Sequence, residues 1–306
     1  MIKRALEKIF SVGEYSETHL IVRILGIKIK FPKALYYLKA KNNPYLVYKK
    51  NNSDITKIPP AQGPIRDIQL ADLVILKEFD NVCRQNGLQY WLDFGTLLGA
   101  VRHKGFIPWD DDVDLGMMRD DYNKLVEIFN DCTKNKDLYL SIEFDRKNNL
   151  ITKIRHKKCK FIFVDIFPFD YYPLFEKSQQ TKITSKLSKY DRTKLKQAKS
   201  FQELKNIVKK VKDDYILNFS DKKDSIVYGL EYDHPYKNWF FPSEIVFPLK
   251  SMEFEGLNLP VFNNYNLYLK SIFGDYMSYP KKFGMGHSMY LDLSADKEIL
   301  KELINE

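Results

Sequence analysis

Cysteine is scarce in this chain: Cys83, Cys132 and Cys159 are the only three among 306 residues. They lie far apart and no two form a CxxC pair, which excludes a cysteine-only zinc site and a disulfide framework. Reduced thiols in a reducing cytosol are expected. Long apolar runs are also missing. No stretch reaches the roughly 18 consecutive apolar residues that a membrane-crossing helix needs. The start, MIKRALEKIFSVGEY, has early charges but no long apolar core and no small-residue cleavage site, so it does not read as a secretory signal. No internal repeat is visible. Aromatics, in contrast, are abundant, with 20 Tyr and 21 Phe, and 44% of the residues are hydrophobic. That composition belongs to a folded protein and excludes a disordered one. The length suffices for one large domain or two small ones.

Acidic residues are few where basic ones are many. The net charge is +9, yet between Lys177 and Lys212 twelve Lys/Arg face only Asp191 and Glu203, a local excess of +10. Such a segment can meet nucleic acid, anionic lipid or an anionic polymer, or it can be a solvated helical face. Residues 2–10 place Ile2, Leu6, Ile9 and Phe10 on one helical face. A short basic amphipathic helix of this kind lies on a membrane surface or docks on its own protein.

The pattern along the chain predicts mixed elements. From Ile27, IKIKF alternates as a half-buried strand, and residues 41–64, rich in Asn, Pro and Lys, read as a linker. IRDIQLADLVILKEFDNVCRQNG has helical spacing and a Gly stop at Gly87. LQYWLDF reads as a strand, Gly95-Thr96 as a turn, LLGAVRHKG as a helix, and DVDLGM as a second strand. RDDYNKLVEIFNDC reads as a helix, and LYLSIEF and KFIFVDIFPFD as strands. Residues 175–220 read as helices carrying the basic excess. FEGLNLPVF reads as a hairpin, followed by a helix from about Asn264 to Phe273. Without a βαβ rhythm this predicts an α/β or α+β fold around one sheet.

Four aspartates, Asp110, Asp111, Asp112 and Asp114, crowd into five positions between Trp109 and Leu115. On a strand, Asp110, Asp112 and Asp114 share one face while Val113 and Leu115 turn inward. Carboxylates that close repel one another, and one of them takes up a proton unless a cation intervenes. Mg2+ prefers a few hard carboxylate oxygens together with substrate phosphates. The missing Gly and Glu positions exclude an EF-hand, and the apolar flanks Phe106, Ile107, Trp109, Val113 and Leu115 argue against a solvated turn. Asp165, alone in the apolar run FIFVDIFPFD, is costly to bury unless a metal or a cationic partner meets it, which makes it the candidate third carboxylate; Asp170, just past Pro168, is the second choice. Gly95 lets the backbone approach a ligand and Thr96 adds a hydroxyl beside turn amides suited to phosphate. Arg102 can grip a phosphate bidentately and Lys104 as a point charge. His103, among basic neighbours, is a phosphate contact or a structural residue. His287 in FGMGHSMY contacts donor or acceptor, or is a surface or core histidine, and His156 beside Arg155, Lys157 and Lys158 is weaker still.

GTLLGAVRHKGFIPWDDDVDLGM closely resembles the hallmark of the LicD family, which includes the fukutin-related proteins. The resemblance continues through RDDY, VDIFPFD, FEGLNLPVF and YLKSIFGDYMSYP, and spans roughly residues 65–290. It implies a nucleotidyltransferase-like mixed β-sheet flanked by helices. It implies transfer of a phospho-alcohol from a CDP-linked donor, CDP-choline above all, onto a sugar hydroxyl of a surface glycan such as lipopolysaccharide, capsule or teichoic acid, with release of CMP. Asp112 and Asp114 match the family's metal pair and Asp165 the third carboxylate, for Mg2+ or Mn2+. Asp165 is also the candidate general base and Asp110 an orienter, with Gly95, Thr96, Arg102, His103, Lys104, Trp109 and His287 toward substrate. A choline headgroup calls for an aromatic box, with Tyr90, Trp91, Trp109, Trp239, Tyr276 and Tyr279 as candidates. The cysteines that hold zinc in some animal relatives are absent.

The expected organisation is an N-terminal extension over 1–60 and a catalytic domain over 61–306 with a basic helical insertion at 175–220. The expected place is the cytoplasm, with peripheral contact at the inner membrane surface where a lipid-linked glycan acceptor sits, and no nucleic acid as partner. Two competitors remain in view: nucleotidyl transfer from an NTP on the same carboxylates, and a non-enzymatic anionic-polymer binder built on the basic segment.

Overall fold

The computed structural model describes residues 10–16, 19–24, 27–32, 54–145, 148–159, 161–173, 176–215, 223–231, 240–279 and 297–305. The chain divides into two units, Met1–Ser53 and Asp54–Glu306. In the first, β1 (Phe10–Ser16), β2 (His19–Ile24) and β3 (Ile27–Pro32) form an antiparallel sheet in the order β1-β2-β3. The predicted strand from Ile27 is present. The helix expected over residues 2–10 is not there at Phe10, which opens a strand, and its other residues lie outside the described set.

The second unit begins inside the expected linker. Asp54 caps a short 3-10 turn, Ile55–Lys57, and Ile55, Ile58 and Ala61 are buried, so this part of the linker belongs to the core. Helix α1 (Pro64–Asn86) follows, with Pro at its first turn and Gly87 in the left-handed region (φ 64°) as its stop. Its inner face buries Ile68, Ile75, Leu76, Phe79 and Cys83, and with them two polar residues, Gln69 and Asp72.

Strand β4 (Trp91–Leu92) leads into α2 (Phe94–His103), β5 (Val113–Met118) and α3 (Arg119–Cys132). Then come β6 (Leu138–Phe144), β7 (Leu150–His156) and β8 (Phe163–Tyr172). The sheet runs β10-β9-β8-β5-β4, where β9 is Ser225–Tyr228 and β10 is Phe241–Pro242. β5 and β8 are parallel, and the other pairings are antiparallel. One edge of β8 takes β5. The other takes β7 along Phe163–Ile166 and β9 along Phe169–Tyr172, with β6 outside β7. β8 is therefore covered on both edges and nearly all of it is buried, as its apolar run requires.

The basic segment forms α4 (Lys177–Ser188), a 3-10 stretch (Arg192–Gln197) and α5 (Phe201–Tyr215). Ile183, Tyr190, Leu195, Leu204 and Val208 pack there with Leu150, Tyr172, Leu230 and Phe240 into a second apolar cluster. Each such aliphatic side chain taken out of water is worth about 1.5–3 kcal/mol. These helices are thus held by an apolar stripe, and most of their lysines stay on the solvent side. A short helix α6 (Ser243–Val246), the hairpin β11 (Lys250–Phe254) and β12 (Leu257–Val261), helix α7 (Tyr265–Phe273) and helix α8 (Lys297–Ile304) complete the unit. The hairpin and α7, capped by Asn264, fall where the sequence places them. No helix among the described residues is long and apolar enough to cross a membrane.

Candidate active site

The site is assembled where two parallel strands begin. Asp114 on β5 and Asp165 on β8 are register partners, so their side chains share a face of the sheet. Lys153 of β7 is the register partner of Asp165 on its other side. The Lys153 ammonium pairs with Asp165 Oδ1 and sits 3.5 Å from the Phe163 ring centroid. A carboxylate, a carboxylate and an ammonium thus line up across three neighbouring strands. Lys153 is the cationic partner that a lone aspartate in an apolar strand requires. The sequence alone does not single it out, because Lys153 is one of four Lys/Arg among residues 151–158.

The remaining aspartates precede the strand. β5 starts at Val113, so Asp110 and Asp112 lie in the loop before it, not on a common strand face as the alternation rule predicts. The reason is a turn in which Asp110 N donates to Ile107 O at 2.9 Å, and Gln69 Nε2 of α1 holds both Ile107 O (3.1 Å) and Asp110 O (2.8 Å). The loop still brings the carboxylates together: one oxygen each from Asp110, Asp111 and Asp112 lie within 4.8 Å of one another. Asp111 is buried. Burial, then Asp112 and Asp111, pushes Asp110 well above the usual carboxylate range. Burial, then Asp112, Asp165, Asp93 and Asp110, does the same to Asp114. Asp72 of α1 is shifted in the same direction, mostly by burial and also by Asp112, Asp111 and Asp165. Several buried carboxylates that resist ionisation together, all offering hard oxygens, fit a divalent cation such as Mg2+.

Gly95 and Thr96 are not in a turn ahead of a helix; they form the first turn of α2 itself, capped by Asp93. Asp93 is fully buried and accepts from Phe94 N at 2.9 Å, Tyr228 Oη at 2.7 Å and Tyr268 Oη. Burial raises it to about 6 despite those donors. This capping carboxylate escapes a motif that starts at Gly95, although an Asp ahead of a helical run is a recognisable cap. Thr96 Oγ1 accepts from Asp114 N at 2.8 Å, and Asp93 N donates to Asp114 O at 2.9 Å. At Gly95 a Cβ would stand 2.7 Å from Asp110 Oδ2, so any larger residue would make that carboxylate move.

The basic triplet is divided by the end of α2. Arg102 is buried, donates from Nη1 to Tyr276 O at 3.1 Å and feels the charge of Asp110; burial lowers it to about 10, still a cation at neutral pH. His103 is lowered to about 4 by burial and then by Arg102, so it is a neutral imidazole near pH 7. Lys104, in the left-handed region at the end of α2, is exposed and pairs with Glu253 of β11 at 3.2 Å. Trp109 is buried beside the aspartate loop. Trp91 is core, edge-on to Phe169 and Phe247 and tilted against Phe262. Tyr90 and Tyr276 are buried, and Tyr90 Oη donates to Asp80 Oδ1 at 2.7 Å. His287 and Trp239 lie outside the described residues.

Asp170, the alternative third carboxylate, is five residues along β8 from Asp165 and so points to the opposite face. It is engaged by Arg119 at 2.7 Å and by Lys212 at 3.0 Å, and Arg119 also takes Glu231 at 2.5 Å. Arg119 and then Lys212 hold Asp170 down to about 2 against the pull of burial. Glu231 is a further residue that no sequence pattern marks.

The fold is α/β, a mixed sheet flanked by helices, with a carboxylate site at the start of its parallel strand pair. Residues 87–203 match the family described as LicD/FKTN/FKRP, nucleotidyltransferase domain. The chain is 30% identical over 251 residues to the lipopolysaccharide cholinephosphotransferase LicD of Haemophilus influenzae, covering 71% of this chain and 92% of that protein. It is 32% identical over 95 residues to the human ribitol 5-phosphate transferase FKRP, covering 28% of this chain and 17% of that protein. The chain belongs to the LicD family.

Proposed function

We propose that this protein transfers a phospho-alcohol, phosphocholine first among the choices, from a CDP-linked donor onto a sugar hydroxyl of a bacterial surface glycan, with release of CMP. The observation that carries this is the alignment to a cholinephosphotransferase over 92% of its length, together with the family match over residues 87–203, which include the carboxylate site. The acceptor would be lipopolysaccharide, capsule or teichoic acid. The enzyme would work in the cytoplasm, where CDP compounds are made, against a lipid-linked acceptor at the membrane surface, toward which the solvent-side lysines of α4 and α5 would turn.

Asp112, Asp114 and Asp165 would hold Mg2+ or Mn2+, with Asp110 and Asp111 adjoining. When bound, the cation would neutralise the donor diphosphate and the charge that develops on it. The protein's own residues do the rest. Arg102 offers a buried positive charge near Asp110. The first-turn amides of α2, beside Gly95 and Thr96, offer donors to phosphate oxygens. Asp165, kept in place by Lys153, would accept the proton of the attacking sugar hydroxyl. Most of the rate would come from positioning and charge neutralisation.

The test is CMP release by the purified protein with Mg2+ from CDP-choline, CDP-ribitol, CDP-glycerol and CDP-ethanolamine, beside an Asp112→Asn/Asp114→Asn control. CMP from one donor, absent in the control, is the expected result and identifies the alcohol. A second specific reading is ribitol phosphate transfer, favoured by the similarity to FKRP, and the CDP-ribitol arm decides it. Pyrophosphate from an NTP, with no CMP from any CDP donor, would replace the transferase by a nucleotidyltransferase.

A further inference from the structure

We infer that Asp72, on the core face of α1, is a further carboxylate of the cation site and contributes its charge to cation binding from behind the aspartate loop. This rests on the cation-dependent transferase proposed above and deepens it.

Half-buried Arg66 and the buried Gln69 and Asp72 follow one another at three-residue spacing along α1. Arg66 pairs bidentately with Glu255 at 2.9 and 2.8 Å. Gln69 clamps the two carbonyls of the turn that presents the aspartates, Ile107 O and Asp110 O. One helical step on, Asp72 is fully buried and its Oδ1 accepts the backbone N–H of Phe163 at 2.8 Å. Phe163 is the first residue of β8, two before Asp165. Helix α1 therefore grips both halves of the acidic site, the loop through Gln69 and the strand through Asp72.

The second oxygen of Asp72 is the part that a structural role leaves unexplained. Oδ2 is buried and has no hydrogen-bond partner among the described residues. Asp112, Asp111 and Asp165 are its same-sign neighbours. Holding a backbone N–H requires only a neutral acceptor, which Asn supplies. A carboxylate in this place, desolvated and among like charges, is costly to the fold by itself. A cation held by Asp112, Asp114 and Asp165 would supply a counter-charge close to Asp72, and then the choice of Asp over Asn at position 72 has a physical reason.

The experiment uses the full chain and Asp72→Asn, with Mn2+ alone as probe, titrated by calorimetry or by loss of the free-ion EPR signal. Urea unfolding in EDTA runs alongside. Removing the charge while keeping the acceptor should weaken Mn2+ binding by about 10–100-fold, the range that outer carboxylates of metal sites typically command. The variant should be at least as stable as the wild type in EDTA, because the metal-free fold no longer has to hold an ionisable group in that buried place. Asp72→Ser gives the same comparison if the Asn variant does not fold. Wild-type binding with an unchanged midpoint in a folded neutral variant would overturn the role of Asp72 alone, leaving it an acceptor for Phe163. Absence of Mn2+ binding in the wild type would overturn the proposed cation site and the role of Asp72 with it.

Discussion

Thr96 and Asp114 are tied to each other across the site: Thr96 Oγ1 accepts the backbone N–H of Asp114 at 2.8 Å. With Asp93 N donating to Asp114 O at 2.9 Å, both backbone polar groups of Asp114 are held by the turn that opens α2. The Gly-Thr element and the D-x-D element are thus one device. Replacing Thr96 by Val leaves the Asp114 N–H without its acceptor, at a cost of about 1–3 kcal/mol, and lets Asp114 drift. Thr96→Ser should keep both stability and CMP release within a few-fold. Thr96→Val should lose most CMP release, and urea unfolding should show the loss of stability. Equal activity in the two variants would disprove the link.

Gly95 touches the same loop from the other side. Gly95→Ala would set a methyl group 2.7 Å from Asp110 Oδ2, closer than such atoms come, so the carboxylate must move. A small displacement near reacting groups costs on the order of 100-fold in rate. Gly95→Ala should therefore fold, show a raised Mg2+ midpoint and lose CMP release by about that factor. Steady-state kinetics across a Mg2+ series will show it.

Burial, and after it the charge of Asp112, raises the proton affinity of Asp110 and Asp114. Asp112→Asn/Asp114→Asn should abolish CMP release. In EDTA the same variant should be no less stable than the wild type, because two sources of like-charge repulsion are gone. A marked loss of stability without metal would mean that these side chains hold the fold rather than serve the reaction.

Asp93 is raised by burial to about 6, above the roughly 3.9 of an unfolded chain. The fold therefore favours the protonated acid. Its contribution to stability is fully present below about pH 4 and is lost as the pH rises through about 6. Two units at about 1.4 kcal/mol each amount to about 3 kcal/mol. Between pH 4 and 7, the wild type in EDTA should lose about 2–3 kcal/mol more than Asp93→Asn does. Urea unfolding at unit pH steps measures the difference, and parallel curves would refute it.

Arg119 neutralises two buried acids, Asp170 and Glu231, at the far end of the parallel strand pair. Arg119→Met strands both charges, with only Lys212 left on Asp170. Breaking a buried pair in this way costs about 3–5 kcal/mol. Combining Arg119→Met with Asp170→Asn and Glu231→Gln should recover a good part of it, as denaturant midpoints will show.

The elements that depend on short-range pattern were legible in the chain. Helix α1 ends at Gly87, α3 covers RDDYNKLVEIFNDC, β6 covers LYLSIEF, and α7 stops at Phe273, as apolar spacing and caps require. Strand β7 was not legible. Its alternation is intact, with Leu150, Thr152, Ile154 and His156 buried, but the residues between include Lys153 and Arg155, which read as a basic cluster. Their partners Asp165 and Glu143 come from neighbouring strands. The turn assigned to Gly95-Thr96 failed because the cap lies earlier, at Asp93. The shared strand face assigned to Asp110, Asp112 and Asp114 failed because Gln69, some forty residues away in the chain, fastens the loop before β5.

The order of residues settles that a mixed α/β unit forms, that Asp112 and Asp114 stand at the start of a buried strand, and that the lysines of 177–212 ride on amphipathic helices. Those outcomes follow from period, cap and turn, which act over a few residues. Tertiary structure alone decides that Asp114 meets Asp165, that Lys153 rather than a distant cation pairs with Asp165, that Asp170 is turned away to Arg119, and that Asp72 comes up behind the aspartates. Each of these is fixed by sheet register or by helix packing, and both bring together residues whose separation along the chain carries no sign of their meeting.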